Sequence, residues 1–334
     1  MYRRPDTRRA ILIPLLAVAA TLMLLGSFLV GPAAISLTRL WSALLGSGDP
    51  VATAILFDLR LPRAILGLAV GGMLGLAGAV LQGYLRNPLA EPSVLGASNA
   101  AALGAVGALY FGFSDLHVLV LPLMAIGGSI VALASLFALA GRSQSPLSLI
   151  LAGIALSTLA GAGISLALNL SPNPFAAMEI TTWLLGSLEN RSIEHVWLAV
   201  PCVVLGSGLL LLDGRSLDAL SLGEDSAQAL GVNLRRTRIR LLLGISIGVG
   251  GAVAVSGSIG FVGLIVPHLI RPLTDRSPSA ILLPSFLAGA VLLTGADTGV
   301  RLIPTNNELK LGIVTAFLGV PVFLAHLLKE RRVW

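Results

Sequence analysis

Arg60-Leu61-Pro62-Arg63, an apolar run from residue 64 to residue 85, then Asn87-Pro88-Leu89-Ala90-Glu91-Pro92: this stretch decides how the chain folds. The run holds 22 residues and no charge. At 1.5 Å per residue it reaches about 33 Å, enough to cross a bilayer core of about 30 Å, so it predicts a membrane helix fenced by polar signals. Gly67, Gly71 and Gly75 recur every fourth residue, with Gly72 and Gly78 beside them. In lipid such small residues mark close helix packing, and Gly67, Gly71, Gly75 and Gly78 are assigned to a helix contact.

Working outward, the composition gives the same answer. The 334 residues are 55% hydrophobic and 11% charged, with a mean hydropathy of +0.91. A soluble fold has no core large enough to hide that much apolar surface. Nine further runs join the first, and the full set is 10–30, 64–85, 94–113, 118–140, 146–170, 196–212, 241–257, 258–269, 279–296 and 311–328. The twelve residues of 258–269 give only about 18 Å of helix, too short to span alone. If all ten cross with the N-terminus inside, sixteen Lys and Arg fall inside and six outside; if 258–269 does not cross, the division weakens to thirteen against nine. The positive-inside rule therefore favours ten crossings and two cytoplasmic termini. The short run must then be shielded by its neighbours. The expectation is an all-α polytopic membrane protein forming one transmembrane domain over residues 1–334. Run 10–30 is too long for a signal-peptide core and is read as a retained span.

The net charge of +6 invites a nucleic-acid reading, but the arginines sit in connectors beside apolar runs, where membrane topology accounts for them. Cys202 is the single cysteine and rules out an intramolecular disulfide. His117, His195, His268 and His326 lack metal-ligand spacing, so no metal site is expected. No Gly-Lys-Ser or Gly-Lys-Thr occurs, so the chain has no P-loop to bind nucleotide. The ten runs contain no Asp, Glu, Lys or Arg, whereas ion-coupled carriers keep an ionisable group within the bilayer. Energy for any pumping would then come from a partner. Gly71-Gly72 before Asn87-Pro88-Leu89 and Gly250-Gly251 before Arg271-Pro272-Leu273 form a faint echo, on which an inverted repeat and an ion-coupled carrier remain an alternative.

Two connectors stand out. The outer one, 169–194, carries an apolar stretch at 180–188 expected to lie along the membrane surface. The inner one, 213–240, offers Ser221-Leu222-Gly223-Glu224 as a capping box, an apolar edge at Ala227, Leu230 and Leu234, and Gly231 as a stop. It predicts a short amphipathic helix that either contacts a partner or lies on lipid. On the outer face Arg60, Arg63 and Arg301 form a trio of carboxylate-gripping forks, or else anchors at the lipid headgroups. Asn87-Pro88-Leu89 and Ser145-Pro146-Leu147 mark inner helix ends, as plain breakers or as parts of an inner mouth.

Arg60-Leu-Pro-Arg63, Gly78-Ala-Val-Leu-Gln82, Asn87-Pro-Leu-Ala-Glu-Pro92, Leu95-Gly-Ala-Ser-Asn99, Trp183-Leu-Leu-Gly-Ser187, Leu222-Gly-Glu224, Leu230-Gly231 and the run from Gly257 to His268 resemble the FecCD family, permease subunits of bacterial ABC importers for iron-siderophore complexes, haem and cobalamin. The resemblance extends from Arg60 to Leu328. It implies a type II ABC importer permease fold of ten spans in the inner membrane. It also implies a homodimer, two ATP-binding cassette subunits that carry the ATP and Mg, and a periplasmic binding protein that delivers substrate. No enzymatic activity or cofactor is implied for this chain, and no nucleic acid. By the same resemblance, Arg60, Arg63 and Arg301 receive acidic residues of the binding protein. Leu217, Leu220, Leu222, Gly223, Glu224, Ala227, Leu230 and Gly231 couple to the ATPase. Asn87, Leu89, Ser145, Pro146 and Leu147 form a cytoplasmic gate, although Pro146 and Leu147 replace small hydroxylated residues of some relatives. Lys310 stands where proline is common. Iron-siderophore ranks first among the substrates, with haem and cobalamin as alternatives.

Overall fold

A computed structural model describes residues 7–31, 36–45, 49–140, 146–304 and 307–330. Every regular element among them is helical. Helix α1 (Thr7–Leu29) is followed by two short helices, α2 (Leu37–Leu44), capped by Ser36, and α3 (Pro50–Ala54), capped by Asp49. From Pro50 the chain stays helical for 35 residues, through a π turn at Ile55–Arg60 into α4 (Leu61–Tyr84). Arg60-Leu-Pro-Arg63 therefore lies inside a helix and does not fence one. Pro62 lacks an N–H and its ring crowds the preceding turn; widening that turn, with Leu61 N–H bonded five residues back to Leu56 O, lets the helix pass through it.

After α4 come α5 (Ala97–Tyr110), α6 (Val120–Ala140), α7 (Pro146–Asn169), α8 (Pro174–Leu184) and α9 (Ile193–Leu211). Two short helices, α10 (Gly214–Leu220) and α11 (Glu224–Ala229), precede α12 (Leu234–Ser256), α13 (Val262–Ile270), α14 (Pro278–Val300) and α15 (Leu311–Glu330). Helices α4 and α12 form the centre. α4 lies along α14 and α12 along α9, while α13 wedges against both α4 and α14. The outer helices α1, α6 and α7 expose Leu15, Leu22, Val131, Leu151 and Leu159, the surface expected of helices facing hydrocarbon.

Each of the ten apolar runs falls on a helix, and seven helices are long and apolar enough to cross a membrane. At nine and 14 residues, α13 and α5 reach only about 14 and 21 Å. Three boundaries differ from expectation. α12 starts seven residues earlier than residue 241, so Arg235, Arg236, Arg238 and Arg240 are helical. α14 continues to Val300, so Asp297 is a carboxylate within an apolar helix and is 1% exposed. Stretch 180–188 is packed into the protein: Ile180 and Leu188 are fully buried, and Ser187 N–H donates to Ser256 O at 2.7 Å. This edge satisfies a carbonyl left open where α12 ends at Gly257, whose φ is +68°.

Candidate functional site

The α4–α14 contact is built from missing side chains. A Cβ at Gly67 would come within 2.9 Å of Thr294 Oγ1, and one at Gly71 within 2.7 Å of Leu293 Cβ while striking the Gly289 carbonyl. At Gly75 it would strike Ser285 O, and at Gly78 the Gly263 carbonyl of α13. The contact is reciprocal, since a Cβ at Gly289 would hit Gly71 O. Backbone therefore rests on backbone along the α4–α14 contact. In the orientation expected from the charge count, Arg63 and Arg301 mark the outer end of this pair and Tyr84 and Ser279 the inner end.

At the outer end the structure gathers Arg60, Arg63 and Arg301, but in the interior. They are 5%, 8% and 9% exposed. Arg63 donates through Nε to both oxygens of Asp297 at 3.0 Å, through Nη2 to Asp297 Oδ1 at 2.8 Å, and through Nη1 to Glu308 Oε2 at 3.0 Å. Arg301 pairs with Asp297 Oδ2 at 3.0 Å and donates to Ser27 O, Val30 O and Ser27 Oγ at 3.1, 2.8 and 2.6 Å. Arg60 donates to Phe28 O and Leu29 O. The last turn of a helix leaves carbonyls without intrahelical donors and carries partial negative charge. Two arginines thus cap α1, and the third holds the buried carboxylate between α4 and α14. Neither reading of the trio, as carboxylate-gripping forks or as headgroup anchors, named these partners, although Asp297 lies one helical turn before Arg301.

Beside them lies a hollow of about 160 Å³ lined by Arg60, Arg63, Arg191, Arg301, Glu189 and Glu308. Arg191 Nε is buried with no hydrogen-bond partner, and burial lowers the basicity of this guanidinium against the pull of Glu189. Lys310 pairs with Glu189 at 2.8 Å and ties the start of α15 to the outer connector.

At the inner end, Asp218 of α10 accepts from Ser279 N–H at 2.9 Å and from its hydroxyl at 2.6 Å, placing a carboxylate at the positive end of α14. Arg238 Nε donates to Tyr84 OH at 2.7 Å and its guanidinium lies 3.7 Å from Glu224, linking α12, α4 and α11. Asp213, fully buried, pairs with Arg240 and accepts from Thr237 Oγ1 at 3.3 Å. The expected capping box does not form: Ser221 Oγ donates to Asp218 O, and Gly223, at φ +108°, precedes α11. Gly231, at φ +86°, ends it. The eight proposed coupling residues divide. Leu217, Leu220 and Ala227 face the core, whereas Leu222 and Leu230 are two-thirds exposed. Leu222 and Leu230 sit on the rim of a hollow of about 880 Å³ that Arg215, Arg236, Asp275 and Arg276 also line. Among the gate residues, Asn87 Oδ1 accepts from Leu89 N–H at 2.9 Å, and Leu89 and Leu147 are exposed. Ser145 and the side chain of Pro146 lie outside the described residues.

Comparison with known proteins gives a consistent picture. The profile of the FecCD transport family matches residues 16–329. The Fe(3+) dicitrate transport system permease protein FecD of Escherichia coli is 41% identical over 278 residues, covering 83% of this chain and 86% of its own. The hemin transport system permease protein HmuU of Yersinia pestis is 36% identical over 95% of both chains, and the vitamin B12 import system permease BtuC of Vibrio cholerae 38% identical over 87% of this chain and 88% of its own. Among solved structures, an inward-facing metal-chelate type ABC transporter superposes with a TM-score of 0.83 at 32% identity, covering 96% of this chain and 99% of that one.

Proposed function

The chain belongs to the FecCD transport family of multi-pass membrane permeases, and from that premise we propose that it is the translocating subunit of an ATP-driven importer for an iron chelate. An iron-siderophore complex ranks first; haem and cobalamin, carried by relatives of similar identity, are the alternatives. In this reading the subunit has ten crossings in the type II arrangement, the inner membrane as its home, and both termini in the cytoplasm. Two copies pair around the path. Two ATPase subunits, which hold the ATP and Mg, sit beneath α10 and α11, and a binding protein presents acidic residues to the arginine face. The chain performs no chemistry on its cargo.

The carrying observation is mechanical. One backbone-packed helix pair is fastened at its outer end to the arginine cluster and at its inner end to α10 and α12 through Ser279–Asp218 and Tyr84–Arg238. A docking event and an ATP-driven movement of the short helices act on the same rigid body. Each biases the equilibrium between inward- and outward-open states, and ATP supplies the difference. Asp297 gives an ion-coupled carrier no support, because it is 1% exposed and both Arg63 and Arg301 already pair with it.

Reconstitution tests the proposal. Liposomes holding the permease, its co-purifying ATPase and the binding protein should accumulate ferric siderophore only with ATP inside the ATPase-facing compartment. Uptake by the chain alone under a proton or sodium gradient would overturn it.

A further inference from the structure

The two carboxylates on Arg63 are not equivalent. Asp297 has a side chain 1% exposed, rides on α14 and is shared with Arg301. Glu308 is 15% exposed and reaches Arg63 from the non-helical residues just before α15. It also lines the outer hollow together with Arg191, whose buried Nε has no hydrogen-bond partner among the described residues. With a share of about 30 Å³ per water, the hollow holds roughly five waters, or a single acidic side chain.

We infer that this hollow is a carboxylate-exchange site, in which an acidic side chain of a docking protein displaces Glu308 from Arg63, engages Arg191, and thereby frees the segment leading into α15. The inference rests on the docking reading above and assigns that site its internal competitor.

Exchange suits the geometry because Arg63 never stands unpaired. Asp297 stays in place while one carboxylate replaces another, so no buried cation is stranded, which is the costly event in opening a buried pair. The newcomer gains a donor that Glu308 does not use, and Glu308 moves to water at the edge of the hollow. What then holds the start of α15 is the partly exposed Lys310–Glu189 pair, the bond from Gly312 N–H to Leu185 O at 3.1 Å, and the packing of buried Leu311 and of Gly312 against the backbone of Leu185 and Ser258. A partly exposed ion pair adds little restraint. Docking energy therefore removes one restraint from one particular helix end.

A fluorescein-labelled hexaglutamate peptide, titrated by anisotropy onto the protein in nanodiscs, stands in for the acidic surface. E308Q, which keeps the shape and removes the charge, should bind roughly threefold to tenfold tighter than the parent. E308D should return parental affinity and R191A should weaken it. Binding should collapse in about 0.5 M NaCl, where the screening length is a few ångströms. In the parent, bound peptide should speed amide exchange at residues 309–313. Salt-sensitive binding of equal strength in the parent and E308Q overturns the exchange and leaves the docking reading standing. Binding unaffected by R191A overturns the placement. No salt-sensitive binding in any variant overturns both the exchange and the docking.

Discussion

Replacing Gly71 with alanine adds one methyl group where α4 meets α14. On a solvated helix that change is favourable by about 1 kcal/mol, because glycine is the poorer helix former. Here the new Cβ meets Leu293 Cβ at 2.7 Å and the Gly289 carbonyl carbon at 2.9 Å. The Gly289 carbonyl oxygen is closer still, so to regain an ordinary contact the helices must part by roughly 1 Å, and because that obstacle is backbone, no rotamer change relieves it. Overpacking of this kind costs about 1–3 kcal/mol, so Gly71→Ala should be destabilising despite its better propensity. Gly161→Ala and Gly208→Ala provide controls, since nothing lies within 4 Å of either added Cβ. Both should be neutral or slightly stabilising in detergent unfolding curves. The double variant Gly71→Ala/Gly289→Ala should cost less than the sum of the two single changes, because one separation of the helices relieves both clashes. If Gly71→Ala unfolds together with Gly161→Ala, the close approach of the helix pair is wrong.

Two further outcomes probe the ends of the pair. Tyr84→Phe removes the acceptor of Arg238 Nε and should cost about 1–3 kcal/mol of stability, read by thermal unfolding, since a buried cation loses a partner. Leu222→Ser and Leu230→Ser, at exposed sites, should leave thermal stability within about 0.5 kcal/mol while reducing recovery of the ATPase subunit on affinity purification; Leu217→Ala, in the core, should instead lower stability by about 2–5 kcal/mol.

The helices were legible in the sequence because hydrocarbon demands long uncharged runs, and the glycine spacing of α4 named its packing face for the same reason. What the sequence concealed was polar pairing across distance. Arg63 and Glu308 are 245 positions apart and Tyr84 and Arg238 are 154 apart, and no local periodicity links such residues. Pro62 misled in a different way. Proline is a common helix-boundary signal, but the π turn at Ile55–Arg60 carries the helix through Pro62. The inner connector gave its stop at Gly231 but not its division into two helices: Ser221 Oγ donates to Asp218 O instead of capping α11. Arginine type and placement were readable; whether the guanidiniums were free depended on buried carboxylates and on the end of α1.

A contact made of backbone has no rotamers in which to absorb displacement. From Arg63 to Tyr84 is 21 residues of helix, about 32 Å, with Gly71, Gly75 and Gly78 pressed on main chain along the way. The pair acts as a strut of fixed length and not as a spring. Bending is left to the joints around it: the π turn ahead of α4 and the left-handed residues Gly257 and Phe261 between α12 and α13. In the proposed transport cycle, timing between the two membrane faces depends on where the joints fall, and the strut itself imposes no delay.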